Sequence, residues 1–205
     1  MKSWRTFVIA AAAVAAVAAP AYAQEHGPGP GTVELTIIPG GGLFFASGAA
    51  ESKFRNYDVG GALTVNLNKY VGVEAEGSTA LGVYHQRLAV GSLSTTEAPP
   101  NIVDFSGNVT VSAPPDTYRM VPYAVGGIGS MVLLTHTDLG IVGSKAFLTG
   151  NVGGGLKWYA NGRWGLRADY RFVMIRSSET APEFFGREGR FAHRIYGGVV
   201  LNLVE

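Results

Sequence analysis

The sequence contains no cysteine. That excludes a disulfide framework, a thiolate metal site and a cysteine nucleophile. It does not exclude an oxidising compartment, because a closed hydrogen-bond ladder needs no staples. Charge is scarce as well: 15% of residues are Asp, Glu, Lys or Arg, against about 25% in ordinary soluble chains. A soluble domain of this size uses more charge than that to cover its surface. Neither sign dominates, with 16 basic and 15 acidic residues. This leaves no basic stripe for nucleic acid and no polybasic membrane patch. After the first segment, no run approaches the roughly 20 apolar residues of a membrane-spanning helix. A convincing helical period is also missing beyond residue 24.

The start of the chain carries an address. Lys2 and Arg5 form a positive region, residues 7–19 are uninterruptedly apolar, Pro20 breaks the run, and Ala21-Tyr22-Ala23 has the A-x-A form of a cleavage site. The run is too short and too rich in alanine for a membrane anchor, so residues 1–23 are expected to be a cleaved signal peptide. Residues 24–31 (QEHGPGPG) read as a flexible leader, and residues 32–205 as one domain. Loss of Lys2 and Arg5 would leave 14 basic against 15 acidic residues, a nearly neutral mature chain.

Strict alternation dominates the rest. In residues 57–67, Tyr57, Val59, Leu63, Val65 and Leu67 share one face, while Asp58, Thr64 and Asn66 share the other. In 71–83, Val71, Val73, Ala75, Leu81 and Val83 oppose Glu74, Glu76 and Ser78. In 164–172, Trp164, Leu166, Ala168, Tyr170 and Phe172 oppose Arg167, Asp169 and Arg171, and in 191–203, Ile195, Val199, Leu201 and Leu203 oppose Arg194, Tyr196 and Asn202. A period of two with one apolar and one polar face specifies strands. Four weaker segments, 33–46, 102–111, 118–133 and 147–158, bring the count to eight. Their lengths suit tilted transmembrane strands. The connections at 66–70, 113–117 and 159–163 are tight, with Pro114-Pro115-Asp116 and Asn161-Gly162 as turn signals. Those near 47–53, 86–101, 135–145 and 176–190 are longer. Short turns on one rim and long loops on the other make an all-β chain, an eight-stranded antiparallel up-and-down transmembrane β-barrel. Tyr70, Tyr118, Trp158, Tyr159 and Trp164 are expected in an aromatic belt at the short-turn rim, and Phe44, Phe45, Phe54, Tyr84, Phe147, Phe172 and Phe191 in a second belt at the loop rim.

On these segments the chain resembles the small eight-stranded outer-membrane β-barrel family, which includes the OmpA transmembrane domain. Residues 153–171 (GGGLKWYANGRWGLRADYR) resemble the family's penultimate hairpin, 71–76 its third strand and 122–127 its fifth. The resemblance implies an outer-membrane location among outer-membrane lipids and lipopolysaccharide. It also implies that Tyr196, Gly198, Leu201 and Leu203 in the last strand form a signal read by the barrel-assembly machinery. The terminal aromatic of that signal is lacking, and Val204-Glu205 is added.

Candidate chemistry lies on the polar face: Glu34, Asp58, Glu74, Glu76, Asp104, Lys157, Arg167, Asp169, Arg171 and Arg194. An eight-stranded barrel is just wide enough to be filled by side chains, and charges there must pair. The main expectation is therefore a lumen plugged by an ion-pair network. By analogy with the family, the alternatives are a narrow gated ion path in which the bridges exchange partners, or an outer-membrane enzyme that modifies lipid A. Glu74 and Glu76 are expected to be ion-paired, not an acid–base couple. Some outer-membrane barrels modify lipid A through a lipid-facing His and Ser. Here His85, His136 and His193 fall near the loop rim and His26 in the leader, none in a His-x-Ser pair and none at metal-ligand spacing. No enzyme activity, cofactor or metal is expected. A soluble lipocalin-type barrel would need the reverse polarity and more surface charge. Gly153-Gly154-Gly155 is no phosphate loop, and Gly40-Gly41-Gly42 reads as a strand kink or close backbone approach. Residues 86–101 are expected to be a mobile Ser/Thr-rich loop, and Phe184-Phe185 an exposed apolar pair, either of which could meet an extracellular ligand.

Overall fold

The computed structural model describes residues 29–46, 53–90, 93–113, 119–160 and 162–204. The expected signal peptide, most of the expected leader with His26, Tyr118, Asn161 and most of the turn at 113–117 lie outside these residues.

Among the described residues, ten strands follow in chain order: β1 (Val33–Ala46), β2 (Phe54–Asn66), β3 (Val71–Leu81), β4 (Gln86–Val90), β5 (Leu93–Glu97), β6 (Ile102–Ser112), β7 (Met120–Leu133), β8 (Lys145–Tyr159), β9 (Trp164–Ile175) and β10 (Arg190–Val204). Eight of them close into an antiparallel barrel in the order β1-β10-β9-β8-β7-β6-β3-β2, and β4 and β5 pair as a separate hairpin. Closure matters because an open sheet edge would leave unpaired N–H and C=O groups with no water to satisfy them in hydrocarbon. Along each barrel strand, buried residues alternate with exposed ones, and the exposed set is apolar: Val73, Val109, Ile128, Leu148, Leu156, Leu166 and Ile195 all face outward. No helix among the described residues is long and apolar enough to cross a membrane, which says nothing about crossing by strands.

At the short-turn rim, Asn68 organises the β2–β3 turn. Its Oδ1 accepts from the backbone N–H groups of Tyr70 (2.8 Å) and Val71 (2.9 Å), the local side-chain bonding that favours Asn in turns.

β1 carries a bulge. Between the pairs Ile37↔Val199 and Gly40↔Gly197, β1 advances by one residue more than β10, and the same excess appears against β2 between Ile38↔Gly60 and Gly41↔Asp58. One extra residue reverses the faces of the strand. Glu34, Thr36 and Ile38 point inward before it, Leu43 and Phe45 after it. Pro39, which has no N–H, sits at the bulge, and the Tyr57 hydroxyl donates to its carbonyl (3.0 Å). This confirms the kink expected at Gly40-Gly41-Gly42 and explains the weak alternation of β1.

Four expectations need correction. Residues 86–101 are not merely a mobile loop: they contain the β4–β5 hairpin, with Leu88 fully buried and the Gln86 amide exchanging hydrogen bonds with the backbone of Arg55 (3.0 and 2.7 Å). Phe184 and Phe185 are not exposed but buried, at 0% and 1%. The loop-rim belt is thinner than expected, since Phe45, Phe54 and Phe147 point inward while Phe44, Tyr84 and Phe191 remain exposed. Of the short-turn belt, Tyr70, Trp158 and Trp164 face outward and Tyr159 points inward. Position along a strand fixes depth in the membrane. Parity fixes the face, and adjacent residues such as 44 and 45 cannot share one.

Candidate functional site

The lumen is where the polar faces of eight strands converge, and it is filled in two storeys. The storey towards the short turns is ionic. At its base, Glu34 from β1 accepts from the Lys157 ammonium and the Tyr159 hydroxyl, both on β8. Above it, Arg167 on β9 reaches across to Glu74 on β3 (2.5 Å) and back to Asp169 (2.7 Å). Arg171 binds Glu74 (2.8 Å), Glu76 (3.0 Å) and Asp169 (3.0 Å). Arg194 on β10 bridges Asp58 (2.6 Å) and Glu76. The side chains in these pairs are at most 4% exposed.

Neutral groups complete the acceptors' shells. Tyr196 donates to Glu76 (2.8 Å) and accepts from Arg171 (3.0 Å). Tyr123 donates to Asp169 and accepts from Arg167 (2.7 Å). Thr64 and Asn108 each donate to Glu74 (both 3.2 Å), and Asn151 donates to Asn108 (2.9 Å). This density is what makes burial tolerable. Coulombic attraction repays desolvation only where the geometry is good and the remaining polar atoms are hydrogen-bonded.

Asp104 stands apart from the network in which it was expected. It faces the lumen half-buried, but forms no ion pair among the described residues. The reason is positional. Its ladder neighbours are Ser78 and Met131, both uncharged. The nearest cations, Arg171 and Arg194, sit on strands across the lumen and are engaged by Glu74, Glu76, Asp58 and Asp169. Asp104 instead lines a small chamber, with room for about one water, beside Ser106, Thr149 and Asn151.

The storey towards the long loops is apolar. Leu43, Ile102, Met131, Val173 and Ile175 project inward from the barrel wall. Leu88 of the hairpin, Leu139 and Ile141 of the β7–β8 loop, and Phe184 and Phe185 of the β9–β10 loop descend onto them. Phe45 stacks on Phe54 (4.2 Å between ring centroids), Phe184 meets Phe54 (5.1 Å), and Phe185 meets Phe147 (4.9 Å) and Phe45 (5.7 Å). Arg190 is buried among these rings. Its guanidinium lies 4.8 Å from the Phe185 ring centre, 5.2 Å from Phe54 and 5.3 Å from Phe45, a cation–π arrangement strengthened by desolvation. Its Nη1 donates to the Phe185 carbonyl (2.7 Å), tying the loop to the mouth.

The expected assembly-signal residues have separate positions. Tyr196 is in the ionic storey, Gly198 packs inward against Thr36 and Ile37, and Leu201 and Leu203 lie half-buried at the short-turn end. The histidines are not brought together. His85 precedes the hairpin, His136 flanks a short 3-10 turn, and His193 faces outward with Nδ1 2.9 Å from the Tyr170 hydroxyl. Among the described residues no three His, Asp or Glu side chains are grouped to hold a metal. Glu74 and Glu76 each bind arginines, which leaves neither free as a general base. Sequence reasoning missed Tyr123, Tyr159 and Arg190. Continuing the inward parity of β7, β8 and β10 would have found all three.

The sequence matches the family model described as outer membrane protein beta-barrel domain over residues 9–194. No sequence relative is found among curated proteins. Solved structures share the fold, among them the following three. The N-terminal β-barrel domain of Pseudomonas aeruginosa OprF is 15% identical, with 85% of this chain and 99% of that one covered and a TM-score of 0.56. Neisserial surface protein A is 10% identical, with 83% and 95% covered and a TM-score of 0.57. Ail, the attachment invasion locus protein of Yersinia pestis, solved with the heparin analogue sucrose octasulfate, is 12% identical, with 84% and 99% covered and a TM-score of 0.50. Closed topology, outward apolar face and family match agree: the chain belongs to the outer membrane protein β-barrel domain family and is an outer-membrane barrel.

Proposed function

We propose that the protein is a sealed barrel with a structural role in the outer membrane, and that it presents its loop end for surface interactions. The observation that carries this reading is the double filling of the lumen, by buried ion pairs below and by a loop-borne aromatic plug above. A wide aqueous pore needs about 16–18 strands. In this reading residues 1–23 are a cleaved signal peptide, the short turns face the periplasm and the loops face outward. Its partners are outer-membrane lipids and lipopolysaccharide, the barrel-assembly machinery reading Tyr196, Gly198, Leu201 and Leu203, and an extracellular ligand of the loops. The test is expression in a signal-processing bacterium, followed by planar-bilayer recording of the purified barrel. Membrane recovery with a silent bilayer is expected; recovery in the soluble periplasm overturns the reading.

One observation favours a second reading, a narrow gated ion path. Glu74 binds both Arg167 and Arg171, and Glu76 binds both Arg171 and Arg194, so partners can exchange without stranding a charge. Discrete openings in the unmodified barrel, altered by Arg167→Ala, would establish it. A non-enzymatic role fits the scattered histidines. Unchanged lipid A mass spectra with and without the protein are expected.

A further inference from the structure

The seam between the two storeys holds a chamber of about 10 Å³, enough for one water molecule. Leu43, Met131 and Val173 line it on the side of the plug, and Asp58, Arg171 and Arg194 on the side of the ion pairs. Arg171 and Arg194 are ladder neighbours on β9 and β10, so two like charges stand side by side on the inner face. Glu76 offsets their repulsion by binding both. Each guanidinium still keeps one nitrogen, Arg171 Nη1 and Arg194 Nη2, without a hydrogen-bond partner among the described residues.

Asn151 brings the opposite polarity, and a chain of amides fixes its orientation. A carboxylate only accepts, so Asn108 Nδ2 turns to Glu74 (3.2 Å). The Asn108 oxygen then accepts from Asn151 Nδ2 (2.9 Å). That leaves Asn151 Oδ1, an acceptor, without a partner among the described residues. Asp104 lines the same chamber from β6 as a second acceptor. Arg171, Arg194 and Asn151 are at most 8% exposed, a depth at which unsatisfied polar atoms are costly.

The chamber thus gathers two donors and two acceptors. A cation there would face two guanidinium groups. An anion would face a carboxylate and an amide oxygen. A neutral molecule that accepts twice and donates twice meets all four, and at this size that molecule is water. We propose that the chamber is a binding site for one ordered water, which accepts from Arg171 Nη1 and Arg194 Nη2 and donates to Asn151 Oδ1 and the Asp104 carboxylate. Asp104 thereby joins the ionic network through a water-mediated contact. The site goes beyond the structural reading of the barrel and holds whether or not the lumen conducts.

The test is a crystal structure of the full barrel, from crystals soaked in rubidium or bromide, together with NMR of the same chain carrying labelled Met131 and Val173 methyl groups. One density peak within about 3.2 Å of all four atoms is expected, with no anomalous signal from either ion. Both methyl groups should show cross-relaxation to a long-lived water. Asp104→Asn keeps an acceptor and should keep that signal. Asp104→Leu removes the acceptor and fills the chamber, so the signal should be lost. Heat-dependent gel mobility reports whether each variant folds; if Asp104→Leu does not, the density and the anomalous data decide on their own. A dry chamber, a rubidium or bromide peak within it, or a water signal that survives in folded Asp104→Leu would each overturn the proposal. A conducting bilayer would bear on the sealed-barrel reading alone.

Discussion

The two storeys of the lumen occupy one barrel and obey one alternation, yet different physics holds them. The lower is filled by Arg167, Arg171, Arg194 and their carboxylates, where each charged group depends on partners from several strands. The upper is filled by Phe45, Phe54, Phe147, Phe184 and Phe185, where contact area and shape carry the packing. In the ionic storey the penalty for a mistake is a stranded charge. In the apolar storey it is a cavity, which a loop can partly collapse. Sensitivity to truncation should therefore be steeper below than above.

The largest effect is expected from Arg167→Ala. It leaves Glu74 and Asp169 each short of a cation, and removing one partner of a buried pair typically destabilises by about 3–5 kcal/mol. Unfolding by urea in lipid vesicles measures it. The Glu74→Ala, Arg167→Ala double variant should lose clearly less than the sum of its singles; strict additivity would break the claim that the lower storey is one network.

Phe185→Ala should come next, at about 3 kcal/mol, the low end for a buried phenylalanine because its loop can relax. Hydrogen exchange should rise in residues 176–189 and stay unchanged at the base of the barrel. Leu88→Ala follows at about 2 kcal/mol, releasing the β4–β5 hairpin to exchange and proteolysis while the eight-stranded ladder holds. Equal protection of hairpin and barrel in that variant would mean that the plug is not modular. The smallest change should be Asn68→Ala, about 1 kcal/mol for two exposed turn hydrogen bonds, with neither storey affected.

A further experiment sharpens the comparison. If the storeys seal in series, neither Arg167→Ala nor the pair Phe184→Ala, Phe185→Ala should conduct alone, and the combination should. Conduction by the aromatic variant alone would show that the ionic storey is no barrier.

Much of this was legible in the sequence, for identifiable reasons. The strands of the barrel could be read because hydrocarbon outside and charge inside impose opposite chemistry on alternate residues, as in the runs at Glu74 and Arg167. The ionic storey could be read for the same cause, since a charge on those strands has only one face to occupy. The plug could not. Loop residues have no period to fix their direction, so Phe184-Phe185 looked exposed, and the hairpin around Leu88 looked like polar linker. Asp104 was misjudged because alternation gives its face but not who stands across the lumen. Tyr123 and Tyr159 were overlooked because a phenol reads as belt or as network depending on parity alone.

The bulge in β1 acts as a phase shift written into the strand. Upstream of Ile38 the inward frame is even-numbered and carries Glu34 and Thr36; downstream it is odd-numbered and carries Leu43 and Phe45. Losing one residue from 39–41 would remove the extra residue and make the ladder regular, so that Glu34 and Thr36 upstream and Leu43 and Phe45 downstream all still point inward. Losing two would leave β1 one residue short against both neighbours and invert the downstream frame, sending Leu43 and Phe45 out to lipid and bringing Gly42 and Phe44 into the mouth. Insertions and deletions in this segment are thus expected to be tolerated by parity, not by size, and a single spare residue lets one strand serve a salt-bridged chamber at one end and an aromatic plug at the other.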